Sequence, residues 1–297
     1  MTLEFLLWAA LLALAALAGL GAAWWGRTRF VRGRRAMLAV GAFLLVGLAG
    51  GYVAHGPVAE LMSRHRLAAA TLRADEIFHT DGLLRALAQA EPEQAGVLHA
   101  RLAMALASAT EAEAGPVEQR VRAEALHEAL AAAFARLPNA SDEAAARLAQ
   151  ALLNALQALQ NTDALLCLGL LHPASQADAA LTDNALARLE GSVRKDLESA
   201  LALTLASSVI RPHAAPLPGK TDAALADMFA ENLPEFQRVY GNAKQVNALF
   251  EALAEPEHAR AIAPEVLSAF AQDLLRALLR MPPEVRGPGL RRLLGTG

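Results

Sequence analysis

The chain has 297 residues, of which 55% are hydrophobic and 19% are charged, and its formal net charge at pH 7 is −3. This hydrophobic share excludes an intrinsically disordered chain, which lacks the apolar surface that a folded core buries. The single cysteine, Cys167, excludes an intramolecular disulfide, and its apolar neighbours predict a buried small side chain rather than a nucleophile.

Two apolar runs open the chain, over residues 5–25 and 36–53, and a short basic segment over 26–35 separates them. Roughly 20 apolar residues in a helix cross the hydrocarbon core of a bilayer, so both runs are predicted to span a membrane. Short loops rich in Lys and Arg stay on the cytoplasmic side, so the loop arginines set the predicted topology. They are Arg27, Arg29, Arg32, Arg34 and Arg35.

These features predict a two-helix transmembrane hairpin over residues 1–56, with the lipid bilayer as its partner. The expected localisation is a bacterial inner membrane, crossed more than once, with both termini on the outer side. The alternative places the C-terminal domain in the cytoplasm. Two other interpretations stay open: the first run as a signal peptide, and the second as a buried helix of a soluble domain.

The arginines of the predicted hairpin offset part of the negative charge of the remaining chain. Without Glu4 and the five loop arginines, the 30 acidic and 27 basic residues become 29 and 22, a formal charge of −7. An acidic surface repels the phosphate backbone, so a nucleic acid is not an expected partner.

Helix-start signals recur after residue 53, whereas no stretch has the two-residue alternation of a β-strand. Proline suits the first helical position because its missing N–H has no partner there, and a nearby glutamate favours the positive end of the helix dipole. Proline followed within two residues by glutamate occurs at Pro92, Pro116, Pro234, Pro256, Pro264 and Pro283. The chain is therefore expected to be all-α, with an extramembrane multi-helix domain that is a bundle or a stack of helical hairpins.

Composition predicts three parts in this helical region. A helical domain is expected over 57–210 and a smaller helical unit over 222–281, with a linker rich in proline over 211–221. Residues 282–297 are rich in proline and glycine, which predicts a flexible tail. In the last predicted helix, Phe270 and Leu274 share one apolar stripe, so both are expected to be buried.

One spacing deserves comparison with metal sites. Paired Glu-x-x-His motifs supply the ligands of di-iron helical bundles. The spacing occurs three times in this chain, at Glu76/His79, Glu124/His127 and Glu255/His258. Glu124 lies opposite the apolar stripe of its helix and Pro256 interrupts the third pair, which leaves Glu76 and His79 as weak metal candidates. One pair supplies at most half of a di-metal site, so neither a metal nor a cofactor is expected.

The sequence contains no local catalytic signature such as Gly-x-Ser-x-Gly. The predicted function is therefore a non-enzymatic, membrane-anchored scaffold or adaptor. It would present an acidic helical domain on the periplasmic side for protein–protein interaction or complex assembly. The alternative is an enzyme, or a ligand- or metal-binding protein, with a site inside the helical domain. The sequence leaves the question of enzymatic activity open between the two.

Overall fold

The computed structural model describes residues 59–173, 179–210, 212 and 218–295. These residues are helical apart from short turns and contain no strand, so the all-α prediction is confirmed for them. The helices are α1 (59–80), α2 (Gly82–Ala90), α3 (Pro92–Ser108), α4 (Glu111–Arg136), a 3₁₀ turn (Leu137–Asn139), α5 (Asp142–Gln160), α6 (Leu166–Leu171), α7 (Ala179–Arg188), α8 (Gly191–Ile210), α9 (Pro218–Tyr240), α10 (Ala243–Ala254), α11 (Pro256–Ala259), α12 (Pro264–Arg280) and α13 (Pro283–Leu294).

The predicted localisation needs correction. The two predicted spans, 5–25 and 36–53, and the loop 26–35 with its five arginines lie outside the described residues. Among the helices that are described, none is long and apolar enough to cross a membrane. This finding contradicts the prediction of a multi-pass inner-membrane protein, in either orientation, and we do not carry that prediction further. The physical reason lies in the long helices, which bury one face and carry charged side chains on the other, as α12 does with Glu265, Asp273 and Arg276.

The chain divides into two compact units, residues 1–70 and residues 71–297. The second unit is built around α5, in which ten of 19 residues are buried. Its polar side chains form a narrow strip through Glu143, Arg147, Gln150 and Asn154. Because a helix that is apolar on most of its surface must be covered on several sides, α6, α8, α12 and α13 all pack against it. Helix α8 in turn packs against α2 and α4.

The predicted linker falls within this unit. Residues 211 and 213–217 lie outside the described part of the chain, and α9 already begins at Pro218. Helices α12 and α13, which follow the linker, pack on α5, which precedes it. The division into a domain over 57–210 and a unit over 222–281 stays a prediction.

Four of the six proline signals coincide with the first residue of a helix. Helices begin at Pro92, Pro256, Pro264 and Pro283, whereas Pro116 and Pro234 lie inside helices. Helix α4 begins earlier because the Glu113 carboxylate accepts hydrogen bonds from the backbone N–H of Thr110 at 2.9 Å and from its hydroxyl at 2.8 Å. The same bonds lower the pKa of Glu113.

The C-terminal residues differ from the predicted flexible tail. Residues Pro283–Leu294 form α13, in which Leu290 and Arg291 are buried. The Arg291 guanidinium donates to the carbonyl of Pro138 at 3.0 Å and forms an ion pair with Asp142 at 2.9 Å. A Cβ on Gly287 would overlap Asp142, so this glycine permits α13 to approach α5 closely.

The predicted stripe of α12 is confirmed, since Phe270 is 0% exposed and Leu274 is 4% exposed. The Phe270 ring makes edge-to-face contacts with Phe236, Tyr240 and Phe250, at centroid distances of 5.4, 5.2 and 4.9 Å. The Tyr240 hydroxyl also donates to Asp273 at 2.6 Å. Burial, together with this hydrogen bond, raises the pKa of Tyr240 well above its ordinary value.

The first prediction concerns the contact of α6 with α7. A Cβ on Gly169 would overlap the backbone of Thr182, whose hydroxyl donates to the Gly169 carbonyl at 2.9 Å. We expect Gly169→Ala to lower the free energy of unfolding by about 1–3 kcal/mol, because neither backbone can move without disturbing the core. The matched control is Gly96→Ala in α3, where a Cβ meets nothing within 4 Å. That change should stabilise the helix by about 0.5–1 kcal/mol. Equal effects in denaturant titrations would contradict the close approach.

The second prediction concerns Tyr240. At pH 7, Tyr240→Phe should lose about 1 kcal/mol of unfolding free energy with the hydrogen bond to Asp273. The raised pKa means that the unfolded state loses its phenolic proton first once the pH rises above about 10. The stability of the wild type should therefore fall in that range relative to the variant, and the difference between them should shrink. A difference that stays constant from pH 7 to 11 would show that the hydroxyl is not protected in the fold.

Candidate functional site: an apolar pocket

The residues of the Glu-x-x-His motifs do not converge. Glu76 and His79 are both exposed on α1. His127 approaches Asp183 of α7, with Nδ1 2.7 Å from Oδ1, while Glu124 faces Arg101 of α3 at 3.5 Å. His258 and Glu255 form an exposed contact at 3.2 Å where α11 begins. Within the described ranges, no group of three or more His, Cys, Asp or Glu side chains is arranged to hold a metal ion.

The structure instead forms a cavity of about 200 Å³ inside the second unit, which we call the apolar pocket. Six elements contribute to it: α4, α5, the α6 helix with the residue after it, α10, α12 and α13. Its walls are Phe134, Leu152, Leu156, Leu170, Leu171, His172, Phe250, Leu253, Ala254, Ala271, Leu274, Leu275, Leu293 and Leu294.

The floor and the rim of the pocket differ in exposure. The floor is buried and comes from α5, α6 and α12, with Leu156 and Leu170 both at 0% exposure. The rim residues Phe134, Leu171, Phe250, Leu253, Leu293 and Leu294 are half-buried, and Ala254 is exposed. The pocket therefore leads from solvent down to a floor of leucine side chains.

His172 is the titratable side chain among the described residues that line the pocket. It follows the last residue of α6 and is 7% exposed. Its Nε2 lies 3.0 Å from the carbonyl oxygen of Ala252 in α10, so this ring nitrogen ties α6 to α10. The imidazole of His172 is thus held in the wall of the pocket by the Ala252 carbonyl.

Cys167 lies beside the floor. It is fully buried, as predicted, and its thiol donates to the carbonyl of Leu156 at 3.7 Å. Burial raises the pKa of the thiol, which keeps it protonated at neutral pH. The side chain therefore acts as a small apolar group of the core and not as a nucleophile.

Polar side chains on another part of α12 fix the helix in place. The Gln272 amide hydrogen-bonds to the side chain of Gln160 in α5 and, at 3.3 Å, to the hydroxyl of Ser268. Both Ser268 and Gln272 are buried. Because a buried amide without a partner is costly, these bonds specify one register of α12 on α5, and hence the positions of the three pocket residues of α12.

The wall formed by α13 depends on Arg291. Its side chain is 5% exposed and joins α13 to Pro138 and Asp142, at the 3₁₀ turn and the start of α5. Leu293 and Leu294 follow two and three residues later and reach the rim. The segment predicted as a flexible tail thus supplies one side of the pocket.

Comparison with known proteins leaves the site to be interpreted from its own geometry, since no family model, curated protein or solved structure matches the chain.

The pocket was not predicted from the sequence. Its residues come from six elements, and those of α5 and α12 belong to apolar stripes that indicate a core without indicating a void within it. The one available signal was the breadth of the apolar surface of α5, which requires more neighbours than one helical layer supplies.

The third prediction tests whether the void is present. Ala271→Leu adds its extra carbons at the pocket, so we expect a change in unfolding free energy below about 1 kcal/mol. Ala277→Leu is the matched control on the same helix, because Ala277 is 5% exposed and is not part of the pocket wall. Overpacking there should cost about 1–3 kcal/mol. If denaturant titrations showed that Ala271→Leu is the more destabilising of the two, no void would lie beside Ala271 and the prediction would be wrong.

Proposed function

We propose that residues 71–297 form a non-enzymatic binding unit that acts as an adaptor, holding an apolar group of a protein partner in the apolar pocket. One observation carries the proposal: a buried leucine floor is reached from solvent through a half-buried rim. Binding sites are concave and mostly apolar, and partner proteins anchor themselves by filling such pockets with one or two large side chains.

The size of the pocket favours a side chain over a large cofactor. Pockets for drug-sized ligands and cofactors occupy roughly 300–1,000 Å³. The cavity here is about 200 Å³. It accommodates one large apolar side chain, or a small molecule of that size.

The chemistry of the lining supports a binding role. The wall consists of leucine, phenylalanine and alanine apart from His172, whose Nε2 is bonded to Ala252. The neighbouring Cys167 thiol is held in its protonated form by burial. The formal charge of −7 outside the apolar N-terminal region supports a protein rather than a nucleic acid as the partner.

The fourth prediction is a cross-linking result. A photoreactive phenylalanine analogue at Ala254, an exposed residue of the rim, should cross-link the full chain to a distinct protein in the cells that express it. The same analogue at Ala100, which is exposed on α3 and is not part of the pocket wall, is the matched control. The partner is then identified by mass spectrometry and tested for binding as a purified protein.

Filling the pocket decides whether the contact is specific. In a chain that also carries Ala271→Leu, the yield of the cross-linked adduct at Ala254 should fall at least about tenfold. The reason is that loss of a buried anchor costs about 2 kcal/mol or more of binding free energy. Identical adducts from both positions, or an adduct at Ala254 that survives Ala271→Leu, would exclude the pocket as the binding surface.

A further inference from the structure

The apolar pocket borders a cluster of aromatic rings. Phe250 lines the pocket and also contacts Phe270 and Phe229 edge to face, at centroid distances of 4.9 and 5.2 Å. The interplanar angles are 79° and 90°. Phe250 is half-buried, so part of this residue is exposed at the rim. A second phenylalanine, Phe134 of α4, belongs to the same wall.

The volume sets the size of the occupant. Apolar cavities of about 150 Å³ lined by leucine, isoleucine and phenylalanine bind benzene. At about 200 Å³, the apolar pocket has room for one six-membered ring with a short substituent. A flavin, with three fused rings and their polar groups, exceeds this space.

The lining sets the chemistry of the occupant. Burial of a charged or strongly polar group without hydrogen-bond partners is unfavourable, so the group that enters the floor is neutral and apolar. Aromatic pairs gain stability beyond area burial when ring edges meet ring faces. Because Phe250 and Phe134 stand in the wall, an aromatic ring gains contacts that a saturated ring of equal size does not.

We propose that the apolar pocket binds a single neutral phenyl ring, which packs against Phe250. The inference rests on the proposed function and names the chemistry of its anchor. The occupant that we assign is the side chain of a phenylalanine in the protein partner, and a free aromatic molecule is the other outcome that the test distinguishes. A phenylalanine side chain needs only its ring in the floor, with the main chain of the partner outside the rim.

The test uses two soluble probes that differ only in aromaticity, benzyl alcohol and cyclohexylmethanol. The full chain, labelled at its leucine methyl groups, is titrated with each probe and followed by NMR. Benzyl alcohol should shift the methyl signals of Leu156 and Leu275 of the floor, and leave Leu87 and Leu126 of the remote core unchanged. It should bind about 2- to 10-fold more tightly than cyclohexylmethanol, as expected for an added aromatic pair.

Three variants assign the effect to the pocket. Phe250→Leu keeps the wall apolar and should remove the preference for the aromatic probe. Phe229→Leu is the matched control, because Phe229 contacts Phe250 and does not line the pocket. Ala271→Leu should abolish the binding of both probes. Equal affinity for the two probes, or a preference that survives Phe250→Leu, would overturn the inference.

Competition with the cross-link separates the two sources. If benzyl alcohol suppresses the adduct formed at Ala254, the ring belongs to the protein partner, and both proposals stand. If it binds the floor and leaves that adduct intact, the phenyl site stands with a free molecule as its ligand, and the proposed protein anchor fails. If the floor signals do not move, the phenyl site fails, whereas the cross-linking test of the adaptor remains decisive on its own.

Discussion

The second unit depends on the burial of α5 more than on any other feature. The helix buries five leucines, and full burial of one leucine side chain contributes about 1.5–3 kcal/mol. An exposed ion pair, such as Arg147 with Glu143 on the same helix, contributes about 0–1 kcal/mol. The leucines therefore determine how α6, α8, α12 and α13 are arranged. The pocket floor includes Leu152 and Leu156, so its position follows from the same arrangement.

Local signals in the sequence predicted the features that have local causes. Proline at the first helical position and the periodic stripe through Phe270 and Leu274 depend on residues within a few turns of one another. The stripe and four of the six proline starts were predicted correctly. The start of α4 was misplaced because Thr110 and Glu113 cap the helix before Pro116. The Thr110/Glu113 pair is also a local signal, but the predicted start was placed at Pro116 instead.

The features with distant causes were not predicted. Residues Pro283–Leu294 contain two glycines and an internal proline, a composition typical of a loop, yet they form α13 because Leu290 and Arg291 find partners far away in the chain. Arg291 reaches Pro138, and Gly287 meets Asp142. Tertiary contacts of this kind override weak helix propensity. The pocket has the same origin, since its wall joins residues from Phe134 to Leu294 that no local pattern relates.

The apolar pocket itself constrains the function. On the scale measured for buried cavities, a sealed void of about 200 Å³ would cost about 5 kcal/mol, which is comparable to the whole stability of many domains. The half-buried rim lowers this cost by admitting solvent, but water in contact with a floor of leucines is itself unfavourable. Either way, an apolar group that enters the floor recovers contacts that the folded chain lacks. The geometry therefore supports the proposed binding role, for an occupant that matches the void in volume and carries no charge into it.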